Sequence, residues 1–341
     1  MTLIAGSYEK FIWGFSLKTQ KNKSASEENP NLNTKTIALN SLFSYPSHTA
    51  PIKTLAVSGP VAVSGGGDEC IKIYDLVTSS EIGSVLTTAT TTSLAFYSPS
   101  DLSFPRNLVA GTDSGTVEIY DADPFVHLKS VKVHKRAVAD VAVHRSGRLA
   151  LSVGRDGRLA MVNLLNGRRT FCSRLDKEAG LVKYGLGGSA GKDMFFMGVE
   201  QKVYVHDSED ARILMEFEAR SKVLCIAPGE NGLIFTGGED RCVTAWDTSS
   251  GKLAYCIENA HNARVKGVVV LGSKKVGSDT PYLIASASSD GVIRVWDVRM
   301  AASSQTQIPV AETETKSRLT CLAGSSEKGR EFGWLLHLFK F

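Results

Sequence analysis

Near the end of the chain a serine, an aspartate and a histidine stand close together. The stretch SASSDGVIRVWD (residues 286–297) holds Ser286 and Asp290, and NAHNARVKG places His261 a short way upstream. These are the parts of a nucleophilic hydrolase, in which an imidazole takes the hydroxyl proton and a carboxylate fixes the imidazole's tautomer. The same spacing returns along the chain, however. An aspartate recurs seven positions before a repeat-ending residue as Asp68, Asp156, Asp240 and Asp290, with Ser114 and Glu200 in that place in two more copies. Four positions earlier stand the hydroxyls of Ser64, Ser152, Thr236 and Ser286. A triad is needed once, whereas a device that pins a turn can serve in every repeat, so the repetition points to structure. A second stretch, LGGSAGKD (residues 186–193), has the glycines and lysine of a phosphate loop. Leu186 and Asp193 occupy the places where that motif needs Gly and Ser or Thr, and the segment leads into a strand rather than a helix N-terminus. No catalytic, cofactor or metal set is expected.

The elements that carry these residues repeat. A small-residue strand, a turn at Asp or Gly and an alternating run ending in aromatic–Asp appear as VSGGGDECIKIYD, VAGTDSGTVEIYD, LSVGRDGRLAMVN, FFMGVEQKVYVHD, FTGGEDRCVTAWD and IASASSDGVIRVWD. Their ends are separated by 46, 42, 44, 40 and 50 residues, close to the ~40–45 of WD-repeat propeller blades. LIAGSYEKFIWGF (residues 3–15) is a seventh copy, with Gly14 and Phe15 replacing the final pair. Between copies lie two further alternating runs, so each unit has four strands. The predicted fold is all-β: a single seven-bladed propeller over residues 1–324, in which the run SRLTCLAGS joins the first strands and leaves no open edge. Residues 18–35 are polar and read as an insertion between strands, and residues 325–341 as an atypical aromatic tail.

Composition agrees with a folded globular chain: 43% hydrophobic and 22% charged residues over 341 positions, with 31 glycines for tight turns. There is no basic, then apolar leader and no run long enough to span a bilayer, so no membrane association is expected. Cys70, Cys172, Cys225, Cys242, Cys256 and Cys321 are scattered singly, which argues against a zinc site or a disulfide framework and for buried reduced thiols. Charge is unevenly placed. Residues 129–174 hold eleven lysines and arginines against Asp140 and Asp156 alone, although the whole chain carries only +4. Lys135, Arg136, Arg155, Arg158, Arg168 and Arg169 from this segment are the candidate contacts for RNA phosphates or an acidic protein face. No aromatics interleave with them, so base-specific reading is not expected.

The opening LIAGSYEKFIWGF, the phrase HRSGRLALSVGRDGRL, the pair AHNARVKG and SASSDGVIRVWD, and the closing SRLTCL together resemble the p21-activated-kinase-interacting-protein family of WD-repeat proteins, from about residue 3 to 322. In WD-repeat blades a His, a Ser or Thr, an Asp and a Trp commonly form a structural tetrad, and the matching residues here are His261, Ser286, Asp290 and Trp296. His48 and His134 match in their own blades, with Val162 standing where a Trp would complete the set beside His134. The resemblance implies a non-catalytic nucleolar scaffold in large (60S) ribosomal subunit assembly and pre-rRNA processing, monomeric within larger complexes. Its partners would be pre-60S assembly factors and pre-rRNA. The alternative it implies is a signalling adaptor that binds and restrains a p21-activated-type kinase. Family members usually continue into a lysine-rich tail, whereas this sequence ends in GWLLHLFKF, so a truncated or spliced form is one expectation.

Overall fold

The computed structural model describes residues 1–21, 35–187, 191–229, 232–271, 282–301 and 307–325. Of the tail assigned to residues 325–341, Ser325 ends the strand Leu319–Ser325 and residues 326–341 lie outside the described residues.

Among the described residues the strands form seven antiparallel four-stranded sheets, and the only helix is the single turn Val298–Ala301. The sheets are the seven blades of a propeller. Blade 1 runs through Ile52–Ser58, Val61–Gly66, Cys70–Asp75 and Ser80–Leu86. Blades 2 to 6 repeat that order and begin at Thr91–Tyr97, Val138–Val143, Leu181–Gly187, Val223–Pro228 and Val265–Leu271. Blade 7 is assembled from both ends of the chain: Leu319–Ser325 pairs with Thr2–Ser7, followed by Phe11–Lys21 and Lys35–Pro46. The first strand of each blade touches the first strands of its two neighbours, and Leu319–Ser325 touches Ile52–Ser58, so the innermost strands close a ring. Thr320 Oγ1 fastens the last join, lying 2.7 Å from the carbonyl oxygen of Ile52 and 3.1 Å from that of Gly6.

The alternating runs form strands because each blade is packed on both faces. The second strand of every blade is almost wholly buried, as in Val61–Gly66 and Leu283–Ser288, whereas outermost strands such as Phe125–Lys132 face solvent. Seven apolar clusters result, most of them bridging adjacent blades; one packs Ile71 and Ile73 of blade 1 against Leu94 and Leu108 of blade 2. The turn between second and third strands is too tight for a side chain in two clear cases. Gly115 and Gly291 have φ of 85° and 86°, and a Cβ there would lie 2.4 Å from the Arg136 carbonyl oxygen and 2.8 Å from that of Ser317.

Two sequence expectations change in detail. The ladder between Phe11–Lys21 and Lys35–Pro46 continues to Lys18↔Ala38 and Lys21↔Lys35, so residues 18–21 and 35 are strand, and residues 22–34 lie outside the described residues. The backbone ladder tolerates this polar sequence because a hairpin is held by main-chain hydrogen bonds. The thiols are all free, yet only Cys242 is fully buried as a residue. The sulfurs of Cys225 and Cys321 are nevertheless enclosed, and burial pushes both thiols up to about 12.

Candidate functional site

Register shows that the repeated polar residues occupy one place in successive blades. Trp296 sits opposite Ile284, Tyr74 opposite Ala62, Tyr120 opposite Leu108, Val162 opposite Ala150 and Trp246 opposite Ile234. In blade 6 the Trp296 indole N–H donates to Ser286 Oγ at 2.9 Å, and Ser286 Oγ lies 2.8 Å from His261 Nε2. His261 Nδ1 stands 3.4 Å from Asp290 Oδ2, too loosely aligned to count as a hydrogen bond. Asp290 instead caps the turn, accepting the backbone N–H groups of Asn262 and Val292 at 2.9 Å each.

Blade 1 makes the same set more tightly. His48 Nε2 is 2.6 Å from Ser64 Oγ, His48 Nδ1 is 2.9 Å from Asp68 Oδ1, and the Tyr74 hydroxyl, 2.8 Å from Ser64 Oγ, takes the indole's part. Blade 3 has three members: His134 bonds Ser152 and Asp156 at 2.9 Å each, with the buried Val162 in the fourth place. Blade 5 lacks the histidine. Trp246 donates to Thr236 Oγ1 at 3.0 Å and the Asp240 N–H donates to Ser221 Oγ at 2.8 Å, leaving a small gap lined by Ser221, Thr236 and Asp240. Asp240 therefore stands in the predicted place but meets no imidazole.

Blade 2 is the case that sequence reasoning missed. The Ser114 hydroxyl bonds Thr112 and Thr116, while the fully buried Glu118 accepts the Tyr120 hydroxyl at 2.6 Å and the Thr88 hydroxyl at 2.5 Å. The signal that was available is a carboxylate two positions before an aromatic and flanked directly by Val117 and Ile119. In blade 4, Glu200 is exposed and pairs with Lys177 at 3.0 Å rather than with a histidine.

Electrostatics and access both argue against hydrolysis. Burial pushes His261 down to about 4, against the pull of Asp290, and lowers His48 and His134 as well, so these imidazoles are neutral at pH 7. Burial alone would raise Asp68, but its bonds to His48 and the Thr49 N–H hold it below the usual carboxylate range. Ser64 and Ser286 are 0% exposed, and each hydroxyl already holds two partners. No substrate carbonyl can reach such an oxygen, and the arrangement instead satisfies buried polar groups while pinning a turn. Of the glycine-rich segment 186–193, Leu186 and Gly187 end one strand and Lys192 and Asp193 begin the next, with Asp193 accepting Arg145 at 2.8 Å, so the lysine of the motif stands on a strand and not at a helix N-terminus; residues 188–190 lie outside the described residues. Among the described residues no three His, Cys, Asp or Glu side chains converge on a metal position, and no helix is long and apolar enough to cross a membrane.

The basic residues of blade 3 divide between its two ends. Lys135, Arg136 and Arg155 are exposed in the turns that lead into the first strand and join the second to the third, and Arg158 begins the third strand beside them. The Arg136 guanidinium donates to the Arg155 carbonyl at 3.3 Å. Arg168, with Arg145 and Arg148, belongs to the opposite end, because antiparallel strands alternate their turns. Arg169 starts near that end too, but its guanidinium reaches back to the Val133 carbonyl, in the segment between blades 2 and 3 that also carries Lys135, at 2.9 Å. Acidic residues also join the region from outside the segment, Glu178 at 3.7 Å from Arg155 and Asp193 beside Arg145. The six candidate contacts are thus not one surface.

Comparison with known proteins follows the same architecture. Residues 39–75 and 254–297 match the WD domain, G-beta repeat. Over 323 residues the chain is 31% identical to p21-activated protein kinase-interacting protein 1 of Mus musculus, spanning 94% of this chain and 78% of that protein. The chain belongs to this family. It is also 28% identical over 324 residues to the p21-activated protein kinase-interacting protein 1-like protein of Gallus gallus, covering 95% of this chain and 80% of that one. A shorter match, 30% identical over 152 residues, joins it to the ribosome biogenesis protein WDR12 homolog of Chlamydomonas reinhardtii, over 43% of this chain and 30% of that protein. The two WD-matched stretches hold the two blades in which all four network positions are filled, His48–Ser64–Asp68–Tyr74 and His261–Ser286–Asp290–Trp296. Each begins on the outermost strand of the preceding blade, so the sequence repeat is staggered by one strand against the sheets.

Proposed function

We propose that the protein is a non-catalytic scaffold in assembly of the large (60S) ribosomal subunit and processing of its rRNA, acting in the nucleus and nucleolus and meeting pre-60S factors and pre-rRNA. The supporting observation is a closed ring whose repeated His, Ser and Asp residues are consumed in buried networks, leaving the charged turns as the chemically available surface. A relative named as a ribosome biogenesis protein points the same way. Within this reading Lys135, Arg136, Arg155 and Arg158, gathered at one end of blade 3, are the contacts with rRNA phosphates or an acidic assembly factor. Arg168 falls away from that end, and Arg169, whose guanidinium is engaged by the Val133 carbonyl, takes a lesser part.

The second reading, a kinase-binding adaptor, is favoured by the printed names of the mouse and chicken relatives. Affinity purification of the tagged chain separates the two. The scaffold reading expects large-subunit rRNA precursors to co-purify and to be lost from the complex after RNase treatment. Recovery of a kinase with no precursor rRNA would replace it with the adaptor reading.

A further inference from the structure

Two lysines near the centre of the ring are treated differently by the fold. Lys183, on the innermost strand of blade 4, bonds both oxygens of the buried Asp140 at 2.8 and 3.0 Å, so its charge is compensated. Lys266, the second residue of the innermost strand of blade 6, is half-buried, yet no carboxylate among the described residues forms an ion pair with it. Its neighbours make matters worse. Burial lowers the ammonium's affinity for its proton, and Arg264 and Arg318 stand close enough to lower it further, against a smaller pull from Cys225 and Glu239.

The three cations are brought together by the packing of blades 6 and 7. A Cβ on Gly267 would lie 2.5 Å from the Leu322 Cβ and 2.9 Å from its backbone nitrogen, so the two innermost strands abut. The Gly291 turn lies against Ser317, which sets Arg318 beside the segment that carries Arg264. Arg318 also lies 5.7 Å from the centre of the Tyr8 ring, while Glu9 is engaged by the Arg318 backbone N–H at 2.9 Å. Half-buried cations are ordinarily paired, and Arg264 and Lys266, half-buried with no ion pair among the described residues and with the exposed Arg318 beside them, make a place for an anion that the folded chain does not itself supply.

We propose that Arg264, Lys266 and Arg318 form an acceptor site for an acidic peptide segment of a partner protein, whose Asp or Glu carboxylate completes the ion pair with Lys266. A carboxylate at the tip of a flexible side chain reaches the half-buried Lys266 and Arg264 more readily than a phosphate flanked on both sides by sugar and base. This site lies on blades 6 and 7, away from the blade 3 residues, and does not depend on the ribosomal reading.

The test uses the full chain, a fluorescein-labelled oligoglutamate peptide and fluorescence anisotropy, with a labelled single-stranded RNA of matched charge as the second probe. Lys266→Met and Arg264→Gln are each expected to weaken peptide binding about tenfold or more. Lys266→Met is also expected to melt no lower than the parent, since it removes an uncompensated charge. Lys183→Met serves as the contrast: it leaves the buried Asp140 without its counter-ion, lowers the melting temperature and leaves peptide affinity unchanged. Absence of peptide binding by the parent, unchanged affinity in the first two variants, or RNA bound in preference through the same residues would each overturn the proposal.

Discussion

The histidine networks use each atom's hydrogen-bonding capacity in one direction. The Trp296 N–H can only donate, so Ser286 Oγ accepts it and gives its own proton to the neutral His261 Nε2. Ser286→Ala therefore strands two buried partners at once and is expected to cost about 1–3 kcal/mol, read as a lower melting temperature. An unchanged midpoint would remove the network from the account. Acid should act on the same groups. His48, His134, His206 and His261 all have proton affinities lowered by burial, His261 to about 4 from an ordinary 6.5. Because the unfolded chain binds these protons first, their contribution is complete above about pH 6.5 and is lost as pH falls toward about 4. Melting followed downward from neutral pH should show that decline, and a flat profile across the window would contradict it. At this scale the Ser and Asp positions were legible from their recurrence, and the histidines from the family resemblance. The Glu118–Tyr120–Thr88 bonds were not, because they occur once and join residues 30 positions apart.

Turns decide how the strands sit. Gly115, Gly157 and Gly291 follow the turn residue in blades 2, 3 and 6 with positive φ, whereas the same place is filled by Glu69 at 55° and Arg241 at 66° in blades 1 and 5. A side chain there costs about 1–2 kcal/mol, partly offset by the freedom a glycine loses on folding. Arg241→Gly is accordingly expected to stabilise by about 0.5–1 kcal/mol, seen as a raised melting temperature, and a fall would show that the arginine makes a compensating contact. Strand pattern and repeat length made the blades legible in the sequence. The alternation of turns between two ends was implicit in the same pattern, but linear proximity hid it. Eleven cations close in sequence are separated by strands of six or seven residues, about 20 Å long. The polar hairpin around residues 18–21 escaped recognition for a related reason: its pairing rests on backbone bonds, which leave no apolar trace.

At the scale of the whole molecule, closure makes the protein a fixed frame. Thr2–Ser7 is held between Leu319–Ser325 and Phe11–Lys21, with Leu3, Ile4 and Ala5 fully buried, so the two ends of the ring are joined inside one blade. A rigid ring holds the turns of different blades at set separations, which is what a scaffold requires of its surface. The family relationship and the propeller were both accessible from sequence, because a repeated pattern constrains every blade at once. The division of surface charge needed three dimensions. The most direct measurement is sedimentation of the tagged chain beside a variant carrying Lys135→Glu, Arg136→Glu and Arg155→Glu, with large-subunit rRNA precursors probed across the gradient. The account predicts that the parent travels with the precursor particles and that the variant, melting at the same temperature, shifts to light fractions. Recovery of the parent in light fractions alone would contradict it.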